Sequence, residues 1–328
     1  MSFALYQRPG GVVFLDDDRD YLEMLAEVMP PELHVRLFTR PVACIELLQQ
    51  ECQRSEADLW SQQEIISRWR EGAGLIGQIL QYWREDGTRR LALMRVCVVD
   101  YAMPAMSGLR VLGELTQWSG SRILLTGRAD EQLAVSAFNR GLIKQFIPKQ
   151  TPDIGRCLLG AIQSQRALPD ERYQQIWRAT LSREQHALLC DPPIAQALAQ
   201  LVLSQDWTEH VVIGAPFGVL GLNAQGAVSW LQLEPAANLP ELAEMAESQG
   251  WEAAIVQDIR EGQKLIDLEL QLALGGGHRP EAHPAWVIAG SAAPLYAALF
   301  PVPEAFTPGA ARSYAHFIGG CGERSVQD

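Results

Sequence analysis

The chain has 328 residues, enough for two ordinary domains, and a composition of 48% hydrophobic against 20% charged residues gives both halves a core. The formal net charge of −12 is uneven: residues 1–168 carry −1 and residues 169–328 carry −11, the wrong sign for the phosphate contacts on which nucleic-acid binding leans. There is no run of about 18 apolar residues to span a membrane and no long apolar stretch of a signal peptide near the N-terminus. The six cysteines lack a CxxC pair and suit buried thiols in a reducing compartment, so a cytoplasmic location is expected.

Residues 11–15 (GVVFL) read as a short buried strand ending in three acids, Asp16, Asp17 and Asp18. Adjacent carboxylates repel one another, which is tolerable on a solvated turn or beside a neutralising cation. Tyr21, Leu22, Leu25, Ala26 and Met29 then recur at helical spacing until Pro30-Pro31 stops the helix. Residues 34–38 alternate like a strand, and 41–50 start another helix. Residues 51–92 predict one long helix or a helical hairpin, with Trp60, Trp69 and Trp83 in stripes expected to pack on the parent domain. Residues 96–108 (VCVVDYAMPAMSG) form an apolar run into Asp100, then a turn through Met103-Pro104 that restarts at Gly108. Such a run is the pattern of a buried parallel strand, whose carboxyl end is where open α/β sheets place their chemistry. On this stretch alone Asp100 either caps the next helix or is presented at the sheet rim. Helical patterns at 109–118, 130–139 and 154–167 alternate with strand patterns at 121–126 and 145–147, which predicts a parallel sheet covered on both faces.

The polar residues that end these apolar runs are Asp16, Asp17, Asp100, Thr126 and Lys149. Three carboxylates suit a hard cation such as magnesium, which prefers oxygen ligands. A hydroxyl and an ammonium suit phosphoryl oxygens. A carboxylate can itself form an aspartyl phosphate.

The segments LDDD (15–18), VVDYAMPAMSG (98–108), LLTG (124–127) and FIPK (146–149), in that order, resemble the receiver domain of two-component response regulators. The resemblance covers about half of the chain. It implies a doubly wound, five-stranded parallel, flavodoxin-like α/β domain. It further implies that Asp100 accepts a phosphoryl group from a sensor histidine kinase or phosphotransfer protein. Mg2+ would be bound by Asp17, Asp100 and the backbone carbonyl of Ala102, with Asp16 completing the acidic pocket through water. Thr126 and Lys149 would contact the phosphoryl oxygens, and Phe146 sits at the switch aromatic. Asp18 matches a variable position and is not expected to be a ligand. Two departures stand out. Gln150 follows Lys149 where the family usually has proline, which bears on where Lys149 lies. The stretch near 51–92 is longer than the usual link.

These readings divide the chain into a receiver domain at 10–168 with a helical insertion near 51–92, a helical connector at 169–206, an output domain at 207–309 and a partly disordered tail at 310–328. In the connector, 170–189 reads as one helix broken by Pro192-Pro193, with a second at 194–204; these segments continue the receiver's last helix or dimerise. Strand patterns follow at 210–214, 217–222 and 227–233, the last two linked by a tight turn at 223–226. Helical patterns cover 239–249 and 252–266, 267–274 is ambiguous, and 286–289 with 295–300 reads as a second hairpin. Strands, helices, then strands predict an α+β domain with an antiparallel sheet, loosely similar in order to PAS-like sensor folds. P-loop, GxGxxG, HExxH, GxSxG and GGDEF-, EAL- or HD-GYP-type motifs are missing, and 275–277 is a glycine loop. His278 and His283 with Cys321 make only a weak metal pattern. The expected output is binding of a protein partner or small ligand. The alternatives are transcriptional control, against which the acidic half argues, and an unrecognised enzymatic output.

Overall fold

A computed structural model describes residues 2–85, 87–127, 131–277, 279–322 and 324–327. His278, and Asp130 at the expected start of a helix, lie outside the described residues. The chain divides into two units, each assembled from three segments. One comprises residues 9–60, 88–168 and 315–328; the other comprises 1–8, 61–87 and 169–314.

The first unit is built on a parallel sheet whose strands lie in the order Val326–Gln327, Val35–Phe38, Gly11–Leu15, Met94–Asp100, Ser121–Thr126, Gln145–Pro148. Side chains alternate across it, because successive Cβ atoms in a strand point to opposite faces. Val13, Leu15, Cys97, Val99 and Leu124 pack on one face with Cys44, Ile45 and Leu48 of the helix Pro41–Arg70, Val111 and Leu112 of Gly108–Glu114, and Ala134 and Ala137 of Glu131–Asn139. Val12, Phe14, Val96, Val98, Ile123 and Leu125 pack on the other with Leu22 and Leu25 of Arg19–Val28 and Leu158 and Ile162 of Ile154–Ala167. This is the doubly wound, flavodoxin-like arrangement. Strand order reverses at Gly11–Leu15, which lies between Val35–Phe38 and Met94–Asp100.

The sheet has six strands rather than the expected five, and the sixth comes from the tail. Val326 and Gln327 pair in parallel with Leu37 and Phe38. Arg324 helps hold them: its Nη1 donates to the carbonyl oxygens of Ala26 at 2.6 Å and Met29 at 2.7 Å, and its Nη2 to that of Leu33 at 3.0 Å. An arginine there satisfies carbonyls left open at the end of Arg19–Val28. The expected disorder of 310–328 is therefore corrected, since Tyr314–Gly320 is also helical.

The second unit carries an antiparallel sheet in the order Tyr6–Gln7, Trp207–Gly214, Phe217–Asn223, Val228–Pro235, Leu295–Pro301, Trp286–Ile288. The turn at 223–226 closes as expected: Asn223 Oδ1 accepts from the backbone N–H groups of Gln225 and Ala227, and Gly226 adopts φ +89°. Several element bounds differ from expectation. Residues 170–189 form two helices, Glu171–Arg178 and Arg183–Cys190, because Ser182 and Gln185 make a capping box that starts the second. Pro192 and Pro193 open the helix Pro192–Ser204 instead of merely interrupting one, as proline does at a first helical turn. The helix expected over 252–266 ends at Arg260; Gly262 takes φ +70°, and Lys264–Ile266 pairs with Ala282–Pro284. Residues 268–273 are helical.

The 51–92 stretch forms the end of Pro41–Arg70 and the helices Leu75–Glu85 and Gly87–Leu91. Its residues 61–87 belong to the second unit, not to the receiver-like one. There, the Trp83 indole N–H donates to Glu209 Oε1 at 2.8 Å, and the Tyr6 hydroxyl donates to the same oxygen at 3.1 Å. Glu209 is fully buried, and donors of this kind offset the cost of leaving water. Trp60, by contrast, is 70% exposed and packs on nothing comparable to a core. The cysteines are all free, but Cys157, Cys190 and Cys321 are exposed where buried thiols were expected.

Two positions yield tests. Glu234 is buried on Val228–Pro235, and burial raises its carboxyl to about 7 although Gln232 and Asn238 donate to it. The folded state thus keeps a proton that the unfolded chain releases between about 4.5 and 7, so this group's stability contribution falls as pH rises through that window. Glu234→Gln removes the effect. Relative to wild type it should gain on the order of 3 kcal/mol between pH 5 and pH 8, read from urea-denaturation curves of both proteins. The buried histidines His34 and His210, lowered to about 4 by burial, slope the other way but equally in both proteins.

Gly108 sits where a Cβ would come within 2.2 Å of the Asp100 carbonyl oxygen. Its N–H donates to the Tyr101 carbonyl at 2.9 Å, closing the turn after Met94–Asp100. Gly108→Ala should cost about 2 kcal/mol through overpacking, measured as a lowered denaturation midpoint.

Candidate functional site

The site lies at the carboxyl edge of the parallel sheet. Leu15 pairs with Val99 and Asp100 pairs with Leu125, so the residues that follow or end these strands become neighbours. Asp16 leaves the end of Gly11–Leu15 and is 1% exposed; Asp100 ends its own strand and is 3% exposed; Asp17 is exposed. One carboxylate oxygen from each of the three lies within 4.8 Å of the other two. Asp18 is used differently. Its carboxylate accepts from the Tyr21 backbone N–H at 3.1 Å and caps the helix Arg19–Val28, in keeping with its expected exclusion from the ligand set.

Lys149 closes the site from the far side. Thr126 pairs with Pro148, and the Lys149 N–H donates to the Thr126 carbonyl at 2.9 Å, so the chain leaves the Gln145–Pro148 strand directly beside the acids. The Lys149 Nζ lies 2.7 Å from Asp16 Oδ2 and 2.9 Å from Asp100 Oδ1. Gln150 in place of a proline does not displace it. The turn is secured by Thr151, whose N–H and hydroxyl both donate to the Pro148 carbonyl, at 3.0 and 2.7 Å.

The second oxygen of Asp16 and that of Asp100 each have a backbone donor. The Asp18 N–H donates to Asp16 Oδ1 at 3.1 Å, and the Ala102 N–H donates to Asp100 Oδ2 at 3.0 Å. Burial pushes the Asp16 carboxyl above its ordinary range, against the pull of Lys149 and the Asp18 N–H. Burial also works against the Lys149 ammonium, but hydrogen bonds and charge from Asp16 and Asp100 outweigh it, and the lysine is held above its usual value. Both are shifted upward, which disfavours the charged form of Asp16 and favours that of Lys149.

Thr126 is fully buried, and its Oγ1 has no hydrogen-bond partner among the described residues. A buried hydroxyl without a partner is costly unless something else uses it. Phe146 is half-buried against the core cluster that contains Met103, Ala134 and Ala137. The structure thus brings Asp16, Asp17, Asp100, Thr126 and Lys149 to one rim. The donor set fits magnesium: all three acids offer oxygen, and an exposed member leaves room for retained waters.

One neighbour escaped the sequence reading. The Lys149 Nζ lies over the Tyr21 ring, 4.7 Å from its centroid. The Tyr21 hydroxyl is buried and has no hydrogen-bond partner among the described residues. In the sequence Tyr21 reads as one more member of an apolar helical stripe, and only its place in the first turn after three acids hints otherwise.

The weak metal pattern gains nothing. His283 Nδ1 donates to the Leu299 carbonyl oxygen at 2.8 Å, and His278 is not among the described residues.

No single helix among the described residues is long and apolar enough to cross a membrane. No family model matches the chain. No curated protein matches it either. Among solved structures, the Legionella pneumophila response regulator LqsR is similar at 22% identity and a TM-score of 0.69, over 95% of this chain and 96% of that one. A response regulator receiver domain from Clostridium thermocellum superposes on 48% of this chain and 94% of its own, at 16% identity and a TM-score of 0.33. An adenylate cyclase from Rhodopirellula baltica superposes on 52% of this chain and 94% of its own, at 17% identity and 0.32. At those TM-scores neither of the last two bears on what this chain does. The first shows that the chain shares, over nearly its whole length, the fold of a response regulator.

Proposed function

We propose that this chain is a two-component response regulator whose phosphoacceptor is Asp100. One observation carries the reading. Lys149 Nζ sits between the Asp16 and Asp100 carboxylates while the buried Thr126 hydroxyl on the same rim is unused. An ammonium and a free hydroxyl beside a carboxylate are the contacts that phosphoryl oxygens take.

In this reading a sensor histidine kinase or phosphotransfer protein presents a phosphohistidine. A carboxylate oxygen of Asp100 bonds to phosphorus as the P–N bond breaks, and the imidazole leaves with the electron pair. Asp17, Asp100 and the main-chain carbonyl of Ala102, with Asp16 through water, would hold magnesium, which when bound supplies positive charge against the transferring oxygens. Lys149 adds its own charge on the other side. The new phosphoryl oxygens give the Thr126 hydroxyl something to donate to, and Phe146 follows into the space behind it. A local charge change thereby biases a two-state element. The second unit passes the signal on by binding a protein or small ligand in the cytoplasm. Residues 169–328, which supply most of it, carry −11 and make nucleic acid a poor target.

The test is phosphoryl incorporation from acetyl phosphate with Mg2+, read by intact mass. Wild type should gain one phosphoryl group. Asp100→Asn and wild type with EDTA should gain none, and Lys149→Met should be slower by on the order of 100-fold. Equal labelling of wild type and Asp100→Asn would sink the assignment.

A further inference from the structure

We infer that Tyr21 is a positioning residue for Lys149, holding the ammonium over its ring so that the charge stays aimed at Asp100; this rests on the phosphoacceptor reading above. Lysine carries its charge on a flexible four-carbon stem, and an ion pair alone does not fix where such a stem lies. Here the Nζ has carboxylates at 2.7 and 2.9 Å and, in addition, an aromatic ring centroid at 4.7 Å. That distance lies within the range at which a ring face attracts a cation.

The contact follows from local structure. Asp18 caps the helix Arg19–Val28, and the cap bond runs to the Tyr21 N–H itself. The cap therefore fixes the third helical residue directly behind Asp16 and Asp17. Because the Tyr21 hydroxyl makes no hydrogen bond among the described residues, the ring face and not the phenol oxygen is what meets Lys149. The Lys149 side chain is 26% exposed, so the ring meets it at a largely buried position. Tyr21 touches neither Asp100 nor the transferring group in this scheme; it acts through Lys149.

The experiment compares wild type, Tyr21→Leu and Tyr21→Phe, with Asp100→Asn as the unlabelled control. Tyr21→Leu keeps apolar volume and removes the ring, and its labelling rate from acetyl phosphate should fall on the order of tenfold. Tyr21→Phe restores the ring without the hydroxyl and should recover most of that loss, which a role for the phenol oxygen would not allow. A second reading is independent of phosphorylation. In NMR spectra, ring current should move the Lys149 ε-methylene protons upfield in wild type and Tyr21→Phe, and the shift should vanish in Tyr21→Leu. Wild type that labels while Tyr21→Leu labels equally fast overturns the inference and leaves the phosphoacceptor reading standing. So does Tyr21→Phe as slow as Tyr21→Leu. Lys149 protons without an upfield shift in wild type overturn it whatever the labelling. Wild type that fails to label overturns the phosphoacceptor reading, and the role given to Tyr21 goes with it.

Discussion

One ammonium between two buried carboxylates holds the candidate site together. Asp16 and Asp100 are each almost wholly removed from water, and Asp17 adds a third negative group within 4.8 Å. Left alone, such a trio would either take up protons or push apart. Lys149 supplies compensating charge, and backbone N–H groups at Asp18 and Ala102 take up the second oxygens of Asp16 and Asp100. The parallel sheet exists, from this viewpoint, to bring four strand ends to one edge. The pairing of Leu15 with Val99 and of Thr126 with Pro148 sets the spacing, and Gly108 lets the chain turn back against Asp100 without a side chain in the way.

Much of that rim was legible in the sequence because buried parallel strands announce themselves. A short, unbroken apolar run bounded by turn residues packs on both faces, and the polar residue that ends it falls at the sheet edge by geometry. Asp16, Asp100, Thr126 and Lys149 were reached in this way. Tyr21 was not, because an aromatic in an amphipathic stripe has the same spacing whether it packs on a core or under a cation. The two-residue strands Tyr6–Gln7 and Val326–Gln327 are too short to show any period, and their pairing partners lie about 200 and 290 residues away in the chain. The helical stretch after Trp60 displayed an apolar face correctly. A stripe says that a face is buried and is silent about which core receives it, so the partnership of Trp83 with Glu209 stayed hidden.

The second unit handles buried acids in two ways. Glu209 receives donors from Tyr6 and Trp83, one from each of two distant segments, and so ties those segments to the antiparallel sheet. Glu234 receives weaker help from near neighbours and answers burial by holding its proton more tightly. In a half of the chain with so few basic residues, neutral donors and retained protons take the place that ion pairs have at the parallel sheet's edge.

Because each unit is stitched from three separated stretches, the chain passes from one to the other five times. A single cut at Leu168 would therefore yield no intact piece on either side. The leading fragment would carry Trp83 and Tyr6 without Glu209, and would lack the last strand of its own sheet. The trailing fragment would bury Glu209 without them. The unit that carries the candidate site is not a cassette that can be lifted out and fused elsewhere, as a domain drawn from one continuous stretch could be.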